Sequence, residues 1–350
     1  MKSLLSLLFT VALVSCKRPE MISPNTVELG HRTYNQVITS LDASSLESAV
    51  QVPNEDGALG RNKEAYFHVR FQLGLNTLSD LAIAEERLDA LDAVVRTIQY
   101  SFTYQLADGG FELSIPEELS YLGAPLEAEL VSGTAFFGSS LGLALWSLSN
   151  SEWFQESATT ASQKTIIQSY IVNFQRTLNY LKEHKETLLE IDKEAPNRLL
   201  FDAVAFQSLG RFLSDQEALD IAEDFAELAL ELQDDSVGYF IEGGGWDSSY
   251  NGVALQLGME LFMIMEDSTL RVQLQRALQK SVEWQLSRIL DSGEISQEGN
   301  TRVFDGGEAF LGEEKGVDYA KTAKSFIYLS VLANDTTFRD VAERILEFYM

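Results

Sequence analysis

The chain has 350 residues, with 26 Lys and Arg against 53 Asp and Glu, a net charge of −27 and 45% hydrophobic residues. That apolar fraction, with aromatic residues well represented, suffices to bury a full core and excludes global disorder. The charge repels phosphate backbones and anionic headgroups, so no nucleic acid and no polybasic contact with a membrane is expected. A single cysteine excludes an internal disulfide framework and a thiolate metal site.

At the N-terminus, Met1 and Lys2 precede an apolar run from Leu4 to Val14 that ends in Leu13-Val14-Ser15-Cys16. A positive start, an apolar stretch too short to span a bilayer and small residues at the junction predict a secretory signal over residues 1–15. Leu-Val-Ser-Cys resembles the bacterial lipobox, which implies cleavage before Cys16 and diacylation of its thiol. On this reading residues 16–62 are a lipid-anchored tether and N-terminal segment. The protein then sits at the bacterial cell envelope and touches the membrane through its lipid alone.

From residue 63 onward the helical period dominates. Tyr66, Phe67, Val69, Phe71, Leu73 and Leu75 form a strongly apolar segment, and Asp80 is expected to cap a helix from Leu81 to about Gln105. Ser132 to Leu148 is small and apolar on most faces, with Gly133, Gly138 and Gly142, which predicts a buried helix crossing others closely. Its follower, Gln163 to Ile191, is long and amphipathic. Leu199 to Leu213 is again apolar, and Asp215 caps the acidic-faced helix Ala218 to Leu232. Asn251 to Met265 is almost continuously apolar, and Ser268 or Thr269 caps Leu270 to Leu290. Tyr319 to Ala333 and Thr336 to Tyr349 complete the series.

Five times, then, a helix apolar nearly all round is followed by one with a charged face. Helices of the first kind are buried on every side and those of the second have one wet face. An inner ring covered by an outer ring supplies both environments. The expected fold is all-α, an (α/α) toroid of about five to six helical hairpins over residues 63–350. Unequal repeat lengths and long glycine-rich connections disfavour a straight solenoid.

Those connections share a pattern. Gln105 leads into Asp108-Gly109-Gly110-Phe111, Gln233 into Gly238-Tyr239 and then Glu242-Gly243-Gly244-Gly245-Trp246-Asp247, and Gln285 into Asp291-Ser292-Gly293 and then Asn300 to Glu308. In a toroid all outer-to-inner connections emerge at one end, so these loops are expected to gather around one mouth. Loops longer than the norm inside a compact domain are usually functional.

None of the three histidines, His31, His68 and His184, falls in these loops, which argues against a Ser-His-Asp triad or an HExxH zinc site. Carboxylates are the better candidates. Asp108, Glu242, Asp247, Asp305 and Glu308 are candidate acid and base for glycoside hydrolysis, which needs two carboxyls across a sugar. Each alone also suits a capping role, Asp247 before Asn251 and Asp318 before Tyr319 above all. Phe111, Trp246 and Tyr250 are candidate sugar platforms. Three consecutive glycines at 243–245 suggest close approach of a ligand to the backbone, with a tight corner as the alternative. No cofactor and no metal are expected; Ca²⁺ among the loop acids is not specified by any ligand pattern.

The hairpin alternation together with Gly-Gly-Trp-Asp-Ser-Ser-Tyr at 244–250 resembles the (α/α) toroids of carbohydrate-active enzymes, the six-hairpin glycosidases and the toroidal polysaccharide lyases. The resemblance is architectural, spans residues 63–350 and transfers no catalytic residue. It implies an oligo- or polysaccharide partner. The favoured activity is hydrolysis through the loop carboxylates. The alternatives are a non-catalytic glycan- or protein-binding lipoprotein, or a lyase using Tyr250, Asn251 and Arg302. The oligomeric state is left open.

Overall fold

The computed structural model describes residues 27–350 apart from 65, 123–125, 267 and 311, so the signal segment and Cys16 lie outside the described residues. Fifteen α-helices occur among the described residues. The first five are α1 (Tyr34–Ile38), α2 (Ala43–Ala49), α3 (Leu75–Ala84), α4 (Leu88–Phe102) and α5 (Glu127–Ser149). Next come α6 (Glu152–Glu156), α7 (Ala161–Ser169), α8 (Ile171–Glu183), α9 (Lys185–Asp192), α10 (Pro196–Leu213) and α11 (Gln216–Glu231). The chain ends with α12 (Ser248–Ile264), α13 (Thr269–Ser287), α14 (Tyr319–Leu332) and α15 (Thr337–Tyr349), and a two-residue pair of strands, β1 (Ala309–Phe310) and β2 (Glu313–Glu314), lies between α13 and α14.

The inner ring runs α3, α5, α10, α12 and α14, each packed on the next, and α1 and α2 close it by touching both α3 and α14. The outer layer is α4, α7 to α9, α11, α13 and α15. This is the (α/α) toroid expected from the alternation of apolar and amphipathic helices. α5 is long and apolar enough to cross a membrane by length and composition, yet most of it is buried between its neighbours, as befits a core helix. Its glycines let the inner helices approach. A Cβ on Gly142 would lie 2.1 Å from Ser208 Oγ and 2.9 Å from the Leu209 amide nitrogen of α10.

The ring closes around a buried polar cluster. Tyr34 of α1 donates to Asp80 Oδ2 of α3 at 3.0 Å and lies 3.3 Å from the Tyr328 hydroxyl of α14. Lys324 of α14 stands 3.5 Å from Asp80 and 3.3 Å from Glu260 of α12. Buried ions need such partners, and here they come from four helices at once.

The segment from residue 27, whose placement the sequence leaves open, packs on the ring: Gly30 N–H donates to Leu332 O at 2.7 Å, Gln275 reaches Leu29 O at 2.8 Å, and Tyr34, Val37 and Ile38 are buried. Three expectations are corrected. Residues 66–72 are not helical as a run, because Phe67 is held in a β-bridge to Ser114 by two backbone hydrogen bonds, and only Val69–Gln72 turns, as 3₁₀ helix. Asp80 is no cap; it lies inside α3, which starts at Leu75, and the chain breaks near Glu86 at φ 50° before α4. Gln163 to Ile191 is three helices, with breaks at Tyr170 and His184 that let the outer layer bend while Phe174, Leu178, Leu181 and Leu188 stay buried.

A turn repeats four times around the rim. Gly57, Gly109, Gly238 and Gly293 all have φ between 91° and 102°, and each lies where a Cβ would strike the backbone of the neighbouring outer helix, at Arg96, Arg176, Lys280 and Arg344. Only glycine fits both demands. The connections after α4, α11 and α13 thereby clamp onto the adjacent hairpin.

Candidate active site at the mouth of the ring

A cleft of about 430 Å³ opens where the first turns of α10, α12 and α14 meet the loop before α3 and the loop before α14. Asn197, Arg198 and Phe201 come from α10, Tyr250 and Val253 from α12, and Tyr319 and Lys321 from α14. Arg70 and Leu73 enter from the segment before α3, and Val303 and Lys315 from the segment before α14. One wall is aromatic, with Phe136 stacked on Phe201 at 4.1 Å between centroids.

Tyr250 is the centre of the polar network. Its hydroxyl donates to Glu308 Oε2 at 2.7 Å and accepts from Lys315 Nζ at 2.8 Å. Lys315 also donates to Glu308 Oε1 at 2.7 Å, and Arg302 Nη2 donates to the same oxygen at 2.9 Å. The Arg302 guanidinium lies over the Tyr250 ring, 4.6 Å from its centroid, and pairs on its other side with Glu242. Burial raises the Tyr250 phenol and the hydrogen bond to Glu308 raises it further, so it holds its proton. Burial works the other way on Lys315, lowering its ammonium with help from Arg70 and Arg302 against the pull of Glu308. Glu308 is held down at about 2; burial opposes this, but the hydrogen bonds from Lys315 and Tyr250 and the two nearby cations prevail. Glu242 is pushed up to about 7 by burial, which outweighs the attraction of Arg302.

The sequence-derived candidates divide. Tyr250 lines the cleft, and Glu308 and Arg302 stand directly behind it. Glu242 is buried behind Arg302 and does not line the cleft. Asp247 is a brace: its Oδ1 accepts from Ser249 and Tyr250 N–H, both at 3.1 Å, and its Oδ2 from Arg302 and Val303 N–H at 3.0 and 2.8 Å. Asp108 is exposed on the rim, where it accepts from Gly110 N–H at 3.0 Å within the repeated turn, and Asp305 is exposed outside the cleft. Phe111 is no platform, because Gly110 packs on the Tyr180 ring and drives Phe111 into the core against Phe102 and Phe137. Trp246 lies outside the cleft, against Gly299 and Tyr239. Asn251 is also structural. It accepts from Phe240 N–H and Ser281 and donates to Gln285, and it is buried without lining the cleft.

Two motif readings change as well. Gly243 and Gly244, at φ 62° and 82°, make a two-residue turn bridged between Glu242 and Gly245, which requires positive φ at both positions. Gly245 then packs on Thr301, so all three glycines have a structural cause. Gln105 and Gln233 brace their turns by donating to Gly109 O and Gly238 O, whereas Gln285 instead donates to Ser248 O and accepts from Asn251. Among the histidines, His68 is buried, uncharged through burial and beside Arg70, and packed on Phe71 and Phe310.

Three contributors were missed by reading the chain: Lys315, Arg198 with its partner Asp192 at 3.2 Å, and Arg70. Behind Arg198, Asp192 and Asp202 are buried together: burial raises Asp192 against the pull of Arg198 and the hydrogen bond from Asp202, whereas burial and the neighbouring Asp192 carboxylate both raise Asp202 far above the carboxylate range, so Asp202 retains its proton. Among the described residues, no group of three or more His, Cys, Asp or Glu is placed to hold a metal ion.

No protein-family model and no curated protein matches the chain. Among solved structures, it is similar to a sugar epimerase from a ruminal bacterium at 13% identity and a TM-score of 0.47, over 89% of this chain and 93% of that one. It is also similar to a D-mannose isomerase at 11% identity and a TM-score of 0.49, over 94% of this chain and 87% of that one.

Proposed function

We propose that the protein is a carbohydrate-active enzyme that moves protons at a sugar carbon, with Tyr250 and Lys315 as the acid and base. The observation that carries this is the Tyr250 hydroxyl, held at the cleft wall between Lys315 at 2.8 Å and Glu308 at 2.7 Å. Lys315 in its uncharged form takes the proton from carbon. The electron pair left behind forms the new double bond, and Tyr250 gives its proton to the departing oxygen or back to carbon. Transfer from Lys315 to Tyr250 along their contact restores both groups, so no net proton is consumed. Elimination and epimerisation share this first step. The aromatic wall of Phe136 and Phe201 suits the apolar face of a sugar ring, and the cleft volume is in the range of small-molecule sites.

Hydrolysis by paired carboxylates has less support. Glu308 is saturated by Tyr250, Lys315 and Arg302, Asp247 by four backbone N–H groups, and Asp318 caps α14 while pairing with Lys321. Tyr250→Phe tests the reading: it removes one oxygen and should abolish turnover of a saccharide that the wild type converts, with fold and binding kept. Turnover within threefold of wild type (about 0.7 kcal/mol) would refute it. The lipid anchor at Cys16 is part of the same proposal. Labelled fatty acid should be incorporated by the full chain and not by Cys16→Ala; equal labelling of both would remove the anchor.

A further inference from the structure

The net charge of −27 makes the cleft unusual, because its charged lining is mostly cationic: Arg70, Arg198, Lys315 and Lys321 against Asp318 alone. Three of these cations have carboxylate partners, Arg198 with Asp192, Lys315 with Glu308 and Lys321 with Asp318. Arg70 has none among the described residues. Its guanidinium is gripped between two aromatic faces, 4.4 Å from the Phe136 centroid and 4.5 Å from that of Phe310. Phe310 is carried there on β1 of the short hairpin and is seated on Phe71 and His68. Glu308 and Asp192 influence the charge of Arg70 from beyond ion-pair distance, and burial lowers its pKa to about 10, still fully charged at neutral pH. A cation that is desolvated, fixed in orientation and open to a cleft lacks only an anion to complete it.

We infer that Arg70 is the anion-reading residue of this cleft, and that the substrate is a sugar bearing one anionic substituent, a carboxylate or a sulfate ester. One planar guanidinium with no carboxylate of its own matches one such group by paired N–H donation. The inference rests on the proposed use of the cleft for saccharide and adds a substrate class to it. A carboxylate beside the reacting carbon, neutralised by Arg70, would also make that C–H more acidic.

The test is calorimetric titration of the folded protein with D-glucuronate, D-glucose 6-sulfate, D-glucose 6-phosphate and D-glucose at low salt. A charge-assisted bidentate contact predicts that glucuronate or the 6-sulfate binds at least about tenfold more tightly than glucose. Arg70→Gln should remove that preference, bringing the charged and neutral sugars to equal affinity, and Arg70→Lys should restore part of it. If Arg70→Gln fails to fold, the four wild-type affinities decide alone. Equal affinity for charged and neutral sugars, preference for the phosphate alone, or no binding of either monoanionic probe overturns the inference. Full turnover by Tyr250→Phe with charge preference retained would overturn the proton-transfer reading and leave this one standing.

Discussion

Asp247 separates bracing from chemistry, and Asp247→Asn is the perturbation that does so. The asparagine keeps one oxygen, which still accepts from Ser249 and Tyr250, but it turns an amide NH₂ toward the Arg302 and Val303 N–H groups now bound at 3.0 and 2.8 Å. Two charge-assisted hydrogen bonds are lost and two donors are left facing a donor, with Asp247 itself fully buried. At about 1.5–3 kcal/mol for each such bond, the loss is about 4 kcal/mol. With about 2.1 cal/mol/K of unfolding entropy per residue, a chain of 350 residues should melt about 5 °C lower. Scanning calorimetry at pH 7 reads this directly. Because Asp247 ties the first turn of α12 to residue 302, the variant should also lose turnover in part, through misplacement of Tyr250 and Arg302. A variant that melts within about 1 °C of wild type and yet loses all turnover would contradict this, and would make Asp247 a chemical group after all.

Other substitutions test the remaining parts of the account. Gly142→Ala places a Cβ 2.9 Å from a backbone nitrogen of α10 and should cost about 1–3 kcal/mol in urea unfolding; an unchanged midpoint would mean that the inner helices can slide. Asp202 keeps a proton in the folded protein that the unfolded chain releases in the ordinary carboxylate range, so its contribution to stability falls as pH rises through its elevated value. Asp202→Asn removes that loss, and its melting temperature should decline less than that of wild type between pH 5 and about 9; parallel curves would show that the pair is not protonated. Phe111→Leu should lower the melting temperature and leave the affinity for saccharide untouched, as measured by calorimetric titration, because Phe111 is part of the core.

The architecture was legible because its cause is periodic. The alternation of apolar and amphipathic helices follows from having an inner and an outer ring, and it reads directly from the spacing of Leu, Val, Phe and Ala. Caps are local in the same way: Asp215, Asp247, Ser268 and Asp318 all accept N–H groups at the predicted helix starts. The small-residue run at Gly133, Gly138 and Gly142 likewise signalled a close crossing, and found it. What the sequence could not reveal is which of several acids near a mouth points into it. Asp108 and Phe111 belong to a turn that recurs around the rim, and their prominence came from the fold rather than from a ligand. Arg70 and Lys315 are 245 positions apart in chain, and only ring closure brings them to one cleft. Before that closure each is a single basic residue in an unremarkable loop. Residues 27–62 were likewise obscure, since short helices such as α1 carry too few residues for a period to show.

Proton exchange in deuterated water tests the central claim most directly. The wild-type protein incubated in D₂O with saccharides of the monoanionic class should place deuterium on a sugar carbon, or form a double bond there, in a reaction followed by NMR and abolished in Tyr250→Phe. Cleavage of a glycosidic bond by addition of water, with every carbon-bound proton retained and Tyr250→Phe fully active, would contradict it.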